Sequence, residues 1–219
     1  MKRLLSTKIL TESQQRTLED AGWELTQYDA ISVEYLKVPF KPMRRLAVFS
    51  SKHAVRALIS ENKASLQGVQ CLCVGETTSA LLQNIGAEVL ESAPSATELA
   101  ARIKKEYTKR DFIYFCGDRR LDVLPRAFRE LGVEWEEVII YKTTPVHKSY
   151  GKSFDGILFF SPSGVESYMS CNTPGHATFY CIGPTTAAAA KKYTDRIFIS
   201  ESPGIDALIS LAAKSTNPV

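Results

Sequence analysis

The chain has 219 residues, 44% hydrophobic and 23% charged, with a formal net charge of +3 at pH 7. That length allows one large domain or two small ones with their own cores, and the composition is that of a globular protein. So mild a charge gives little support to nucleic-acid binding, while a small acidic ligand stays open. The opening Met1-Lys2-Arg3-Leu4-Leu5 leads into no apolar stretch long enough for a signal peptide or membrane span, so the cytoplasm is the expected compartment.

In chain order, Leu4-Leu5 begins a short apolar stretch, and Thr11-Glu12-Ser13 starts a helical pattern through Leu18 that ends near Gly22. Trp23 to Leu25 leads towards a second extended segment. Residues 31 to 38 alternate as a strand, stopped by Pro39 and Pro42. Leu46 to Phe49 is a further strand, followed by a helix over Lys52 to Ser60. Cys71 to Val74 is the next strand, Gly75-Glu76-Thr77-Thr78 a turn, and Ser79 to Asn84 a helix ended by Gly86. A strand over Ala87 to Glu91 and a helix over Ala96 to Lys105 follow.

From Phe112 the pattern recurs. Leu4-Leu5-Ser6 falls on Tyr114-Phe115-Cys116, Ala21-Gly22-Trp23-Glu24 on Leu131-Gly132-Val133-Glu134, and Val48-Phe49-Ser50-Ser51 on Leu158-Phe159-Phe160-Ser161, each at a separation of 110. Cys73-Val74-Gly75-Glu76-Thr77-Thr78 falls on Cys181-Ile182-Gly183-Pro184-Thr185-Thr186 at 108, and Pro94 and Leu99 on Pro203 and Leu208 at 109. Several matches in one order at nearly fixed spacing argue for a duplicated unit. Strands alternating with helices predict parallel sheets with helices on both faces, whose ligands bind beyond the strands' carboxyl ends.

The second copy holds the most informative turn. Ile157 to Phe160 is a short apolar run suited to a strand buried on both faces, and it stops at Ser161-Pro162-Ser163. Two helix starts overlap there: Ser161 as cap with Pro162 at the first position, or Ser163 and Glu166 as an S-x-x-E capping box. Either leaves backbone N–H groups at a helix mouth that attracts anions. Gly183-Pro184-Thr185-Thr186 is a second such start. Neither Gly-x-Thr-Thr turn fits a dinucleotide or P-loop signature, which weakens a nucleotide-dependent transferase.

Cys71, Cys73, Cys116, Cys171 and Cys181 are an odd number, mostly within apolar runs, and no C-x-x-C pair occurs. With His53, His147 and His176 scattered, buried thiols are expected rather than disulfides or a metal site. Gly117-Asp118-Arg119-Arg120 follows a strand and reads equally as a carboxylate-binding turn or a solvated one. Tyr141 reads as an amphipathic packing residue. A two-domain small-molecule binder or sensor that performs no chemistry is also compatible with these residues.

Taken together, Val48-Phe49-Ser50-Ser51, Val74-Gly75-Glu76-Thr77-Thr78, Cys116-Gly117-Asp118, Val138-Ile139-Ile140-Tyr141-Lys142-Thr143, Phe159-Phe160-Ser161-Pro162-Ser163-Gly164 and Ile182-Gly183-Pro184-Thr185-Thr186-Ala187 resemble uroporphyrinogen-III synthase, in family order over almost the whole chain. The resemblance implies an α/β fold of two similar doubly wound parallel-sheet domains joined by a two-stranded linker, with the active site in the cleft between them. It places residues 1–33 with 146–219 in one domain, 38–142 in the other, and linker strands at about 31–38 and 137–144. Each domain then takes one piece from each copy of the repeat.

The implied reaction closes hydroxymethylbilane to uroporphyrinogen III with loss of water and inversion of ring D, without a cofactor, in tetrapyrrole biosynthesis. The implied partner is that octacarboxylate alone, with no nucleic acid and no membrane, and a monomer is expected. By resemblance Tyr141 assists departure of the hydroxyl. Ser51, Lys52, Thr78, Arg119, Ser161, Ser163, Gly164, Thr185 and Thr186 are the expected substrate-binding residues, the backbone N–H groups of Ser51, Ser163–Gly164 and Thr185–Thr186 clamping carboxylates. This chain departs from the family at Leu121, where a basic residue is common, and at Lys52-His53, which replace a proline-rich turn.

Overall fold

The computed structural model describes residues 2–38, 46–60, 66–202 and 204–215; Pro39 and Pro42, expected to stop a strand, and Pro203, matched to Pro94 in the repeat, lie outside them. The chain divides into two compact units, Met1–Ser32 with Thr144–Val219, and Val33–Thr143.

The first unit is built on a five-stranded sheet. Its strands are β1 (Lys2–Ser6), β2 (Trp23–Gln27), β9 (Gly156–Phe159), β10 (Thr178–Cys181) and β11 (Ile197–Ile199), and its helices α1 (Glu12–Asp20), α6 (Pro162–Met169), α7 (Pro184–Ala190) and α8 (Ile205–Lys214). The order is β2-β1-β9-β10-β11, parallel throughout. Alternate side chains feed opposite faces, as the two-residue strand period requires. Leu5, Ile157, Phe159, Phe179 and Cys181 pack with Val165 and Tyr168 of α6 and Ala187 and Ala190 of α7. Leu4, Leu158, Tyr180 and Trp23 pack on the other face with Leu18 of α1 and Leu208, Ile209 and Ala212 of α8.

The second unit carries a six-stranded sheet. Its strands are β3 (Ile31–Tyr35), β4 (Leu46–Phe49), β5 (Gln70–Val74), β6 (Glu88–Ala93), β7 (Phe112–Gly117) and β8 (Trp135–Pro145). The helices are α2 (Lys52–Ser60), α3 (Glu76–Asn84), α4 (Ala96–Glu106) and α5 (Val123–Leu131). In the order β3-β8-β7-β4-β5-β6, the pairs from β8 to β6 are parallel. Leu46, Val48, Leu72, Phe112 and Tyr114 pack under α4 and α5, and Ala47, Phe49, Cys71, Cys73 and Phe115 under α2 and α3. Burying each such Leu or Phe contributes about 1.5–3 kcal/mol, so the central strands dominate the stability of both units.

Both sheets are therefore doubly wound, and each strand of the first has a counterpart in the second, which adds β3 at its edge. β4 and β9 are related by the same separation of 110 as the sequence repeat, and β7, β8, β5 and β6 answer β1, β2, β10 and β11 in the same sheet positions. α2 and α6 show one burial pattern: Ala54, Val55, Ala57 and Leu58 against Gly164, Val165, Ser167 and Tyr168. Each sheet joins strands from both copies. Both reverse their winding at one point, between β1 and β9 in the first and between β7 and β4 in the second. Beyond the carboxyl ends at such a point, an open α/β sheet leaves a crevice for ligands.

Some boundaries differ from expectation. The strand expected over 31–38 stops at Tyr35, although the Leu36 N–H still donates to the Ile140 carbonyl. Glu76-Thr77-Thr78 is not a free turn but the first turn of α3, because Gly75 caps it with φ +85° and its carbonyl accepts the Thr78 and Ser79 N–H groups. A side chain rarely adopts that φ, so glycine is what lets the helix begin there. Of the cysteines, Cys71, Cys73, Cys116 and Cys181 are buried as expected, whereas Cys171 is half-buried; all five are free thiols.

Candidate active site

In the second unit the winding reverses above Ser50-Ser51 and Gly117-Asp118. The Ser50 and Tyr114 hydroxyls share a hydrogen bond of 2.7 Å at the floor. Ser51 opens α2: its hydroxyl oxygen accepts the His53 N–H at 3.2 Å and its carbonyl the Ala54 N–H at 3.1 Å. Lys52 begins the helix itself.

Tyr141 is the best-fixed side chain here. A register shift between β7 and β8 pairs Cys116 with Ile139 but Gly117 with Tyr141. Bulges re-aim side chains in this way and recur beside active sites. It leaves Ile140 buried and turns Tyr141 onto the face of Phe115. A β-carbon on Gly117 would lie 2.4 Å from the Tyr141 ring, so only glycine admits the ring there. Asp118 holds the backbone on either side: its N–H donates to the Tyr141 carbonyl at 3.1 Å, and its carboxylate accepts the Thr143 N–H at 2.9 Å.

Burial raises the pKa of the Tyr141 phenol, and the neighbouring Ser51 hydroxyl opposes part of that rise. The phenol is therefore protonated at neutral pH and available as a donor. The His53 ring lies 5.7 Å from the Tyr141 ring, and His53 Nδ1 is 3.1 Å from the Tyr35 hydroxyl. Arg120 pairs with Glu137 at 2.7 Å and with Asp122 at 3.4 Å; Arg119 is exposed, as is Leu121.

The corresponding turn of the first unit resolves the two overlapping helix starts. Ser161 is the cap, with Pro162 at the first position, and its hydroxyl accepts the Gly164 N–H at 3.0 Å. Because Ser161 also takes Gly164 through its carbonyl, that N–H is not an open donor. The Ser163 N–H has no acceptor among the described residues. Thr7 lies beneath: its hydroxyl donates to the Leu158 carbonyl at 2.7 Å, and a β-carbon on Gly164 would be 3.6 Å from it. At the two Gly-x-Thr-Thr starts the pattern is again shared. Thr77 and Thr185 are exposed, while Thr78 and Thr186 are buried in the first turns of α3 and α7.

Within the second unit the fold thus brings Tyr141, Ser51 and Gly117 together, and within the first Ser161, Ser163, Gly164 and Thr7. Sequence reasoning missed Thr7, Tyr35 and the Ser50–Tyr114 pair. Thr7 was readable from the repeat, since it occupies the slot of Gly117; no local signal marks Tyr35.

A family model described as uroporphyrinogen-III synthase HemD matches residues 12–210. The chain belongs to the uroporphyrinogen-III synthase family. The uroporphyrinogen-III synthase of Saccharomyces cerevisiae is 26% identical over 170 residues, a stretch covering 64% of this chain and 60% of the yeast protein. The match thus spans less than two thirds of that relative's length. Two solved structures share the synthase fold. That of the Helicobacter pylori enzyme has a TM-score of 0.75 at 16% identity, covering 98% of this chain and 100% of that one. A mutant Thermus thermophilus synthase has a TM-score of 0.68 at 14% identity, with 99% and 98% covered.

Proposed function

We propose that the chain is a working uroporphyrinogen-III synthase, closing hydroxymethylbilane to uroporphyrinogen III with loss of water and inversion of ring D. The observation that carries the reading is the family match over residues 12–210. The chemistry of the turns agrees with it. The substrate carries eight carboxylates, and the turns of Ser51, Ser161–Ser163 and Thr185–Thr186 stand at helix starts, where N–H groups and the helix dipole favour anions. In this reading these turns hold substrate carboxylates, with Lys52, Arg119 and the Thr78 and Thr186 hydroxyls orienting the substrate.

Loss of the ring A hydroxyl gives a reactive azafulvene that closes without inversion if left alone. The enzyme's task is then largely conformational: it holds the chain so that the other carbon of ring D meets ring A. Tyr141, protonated and fixed over Gly117, donates to the departing hydroxyl as acid or hydrogen-bond donor. Since its pKa is raised rather than lowered, it stabilises the leaving oxygen mainly by hydrogen bonding, and the proton that makes the departing hydroxyl water is the one the ring A pyrrole nitrogen loses as the azafulvene forms. Help of this kind is typically worth about 10²–10⁴-fold.

The test is incubation with freshly made hydroxymethylbilane and chromatographic separation of isomers I and III. Isomer III formed faster than spontaneous closure supports the reading. Isomer I alone, at the spontaneous rate, rejects it.

A further inference from the structure

Three aromatic side chains of the second unit meet beside the first turn of α2. The His53 ring lies 5.7 Å from the Tyr141 ring and 6.1 Å from the Tyr35 ring, tilted to them by 45° and 48°. His53 Nδ1 is 3.1 Å from the Tyr35 hydroxyl. That contact survives a change of tautomer, because a phenol can accept from Nδ1–H or donate to an unprotonated Nδ1. Tyr35 and Tyr141 come from the neighbouring strands β3 and β8 and pack against one core cluster. The Leu36 N–H ties the two strands together at the Ile140 carbonyl.

The first turn of α2 therefore reaches Tyr141 twice. The Ser51 hydroxyl adjoins the phenol, and the His53 ring bears on its ring. Ser51 Oγ accepts the His53 N–H at 3.2 Å, which holds these two residues in one arrangement. Gly117 makes room for the Tyr141 ring but has no side chain with which to hold it. A tyrosine with too few packed neighbours can turn into another staggered χ1 well. His53 supplies such a neighbour.

The repeated fold does not itself require this cluster. At the repeat separation of 110, Tyr35, His53 and Tyr141 fall on Pro145, Ser163 and Ile31. α6 has the burial pattern of α2 with a serine in the place of His53.

We propose that His53, anchored by Tyr35, is a positioning residue that holds the Tyr141 phenol where it donates to the departing hydroxyl. The inference rests on the reading of Tyr141 as that donor. Tyr35 fixes the imidazole, the imidazole restricts the ring, and the ring carries the hydroxyl. No proton passes through His53 in this role, so its removal lowers the rate of the step and spares substrate binding. A misplacement of about 1 Å at a reacting group can cost about 10²-fold.

The experiment has one arm without substrate. Tyrosine nitration by tetranitromethane is mapped by mass spectrometry in the parent chain, His53→Ala and Tyr35→Phe, with the exposed Tyr193 as reference. Nitration of Tyr141 is expected to rise severalfold in both variants. Tyr35→Phe keeps its ring, which guards against a folding defect in His53→Ala. The second arm follows isomer III formation from hydroxymethylbilane. His53→Ala is expected to lower kcat about tenfold with KM within about twofold of the parent. Added to Tyr141→Phe, which has no hydroxyl to position, it is expected to cost nothing more.

An equal further loss in that double variant, or a raised KM with kcat intact, places His53 on the substrate itself and overturns the proposal. Unchanged nitration of Tyr141 in both variants overturns it whether or not the parent is active. Unchanged nitration in Tyr35→Phe alone removes the anchor. A parent chain that yields only isomer I rejects the synthase reading, and with it the catalytic use of the phenol, even where nitration shows the ring held by His53.

Discussion

The Tyr141 ring lies over Gly117 so closely that a β-carbon there would be 2.4 Å from ring carbons and 2.8 Å from the hydroxyl oxygen. The register shift that pairs these two residues, and the Asp118 contacts on either side, fix the phenol without help from any long flexible side chain. Gly117→Ala must therefore displace the ring. Overpacking of this kind costs typically about 1–3 kcal/mol, so a lower Cm in urea is expected. Turnover is expected to fall at least tenfold in the fraction that remains folded. An alanine variant with native turnover would show that the ring position does not matter.

Tyr141→Phe separates ring from hydroxyl. The ring fills the same place over Gly117, so the urea midpoint is expected to stay near that of the parent. The rate of isomer III formation is expected to drop by about 10²–10⁴. Full activity in this variant would remove the donor role.

These two residues also mark where the sequence was legible and where it was not. The all-apolar runs of β4 and β9 announced central parallel strands, and the repeat spacing announced that the two sheets would match. The bulge in β8 was illegible because it exists only relative to the register of β7, a non-local property. Ser161 and Ser163 were indistinguishable as caps because both carry the same hydroxyl; the outcome depends on which one the chain reaches in extended geometry, and Ser161 has φ −164°. Tyr35 and His53 meet across 18 residues of chain, which no local pattern encodes.

The capping assignment has its own measurable consequence. Ser161→Ala removes the acceptor of the Gly164 N–H and is expected to cost about 0.5–2 kcal/mol. Ser163→Ala, which removes no cap, is expected to stay within roughly 0.5 kcal/mol of the parent. Equal losses in urea denaturation would contradict the assignment.

Acid sensitivity has an identifiable contributor in Asp155. The Arg3 backbone N–H, which it accepts at 2.7 Å, holds its pKa below the ordinary value of 3.8, and His176 at 3.1 Å adds to this. A depressed carboxylate stabilises the fold fully above its unfolded pKa, and that contribution is lost as pH falls from there through the lower folded value. Asp155→Asn should therefore flatten the loss of stability below about pH 4. Parallel stability curves for parent and variant would assign the acid transition to other groups.

The most direct measurement is the ratio of uroporphyrinogen III to I at early times, taken for the parent chain and Tyr141→Phe with freshly made hydroxymethylbilane. The expected result is predominantly isomer III from the parent and a shift towards isomer I from the variant as spontaneous closure overtakes it. Isomer I alone from a folded parent chain would contradict the account at its centre.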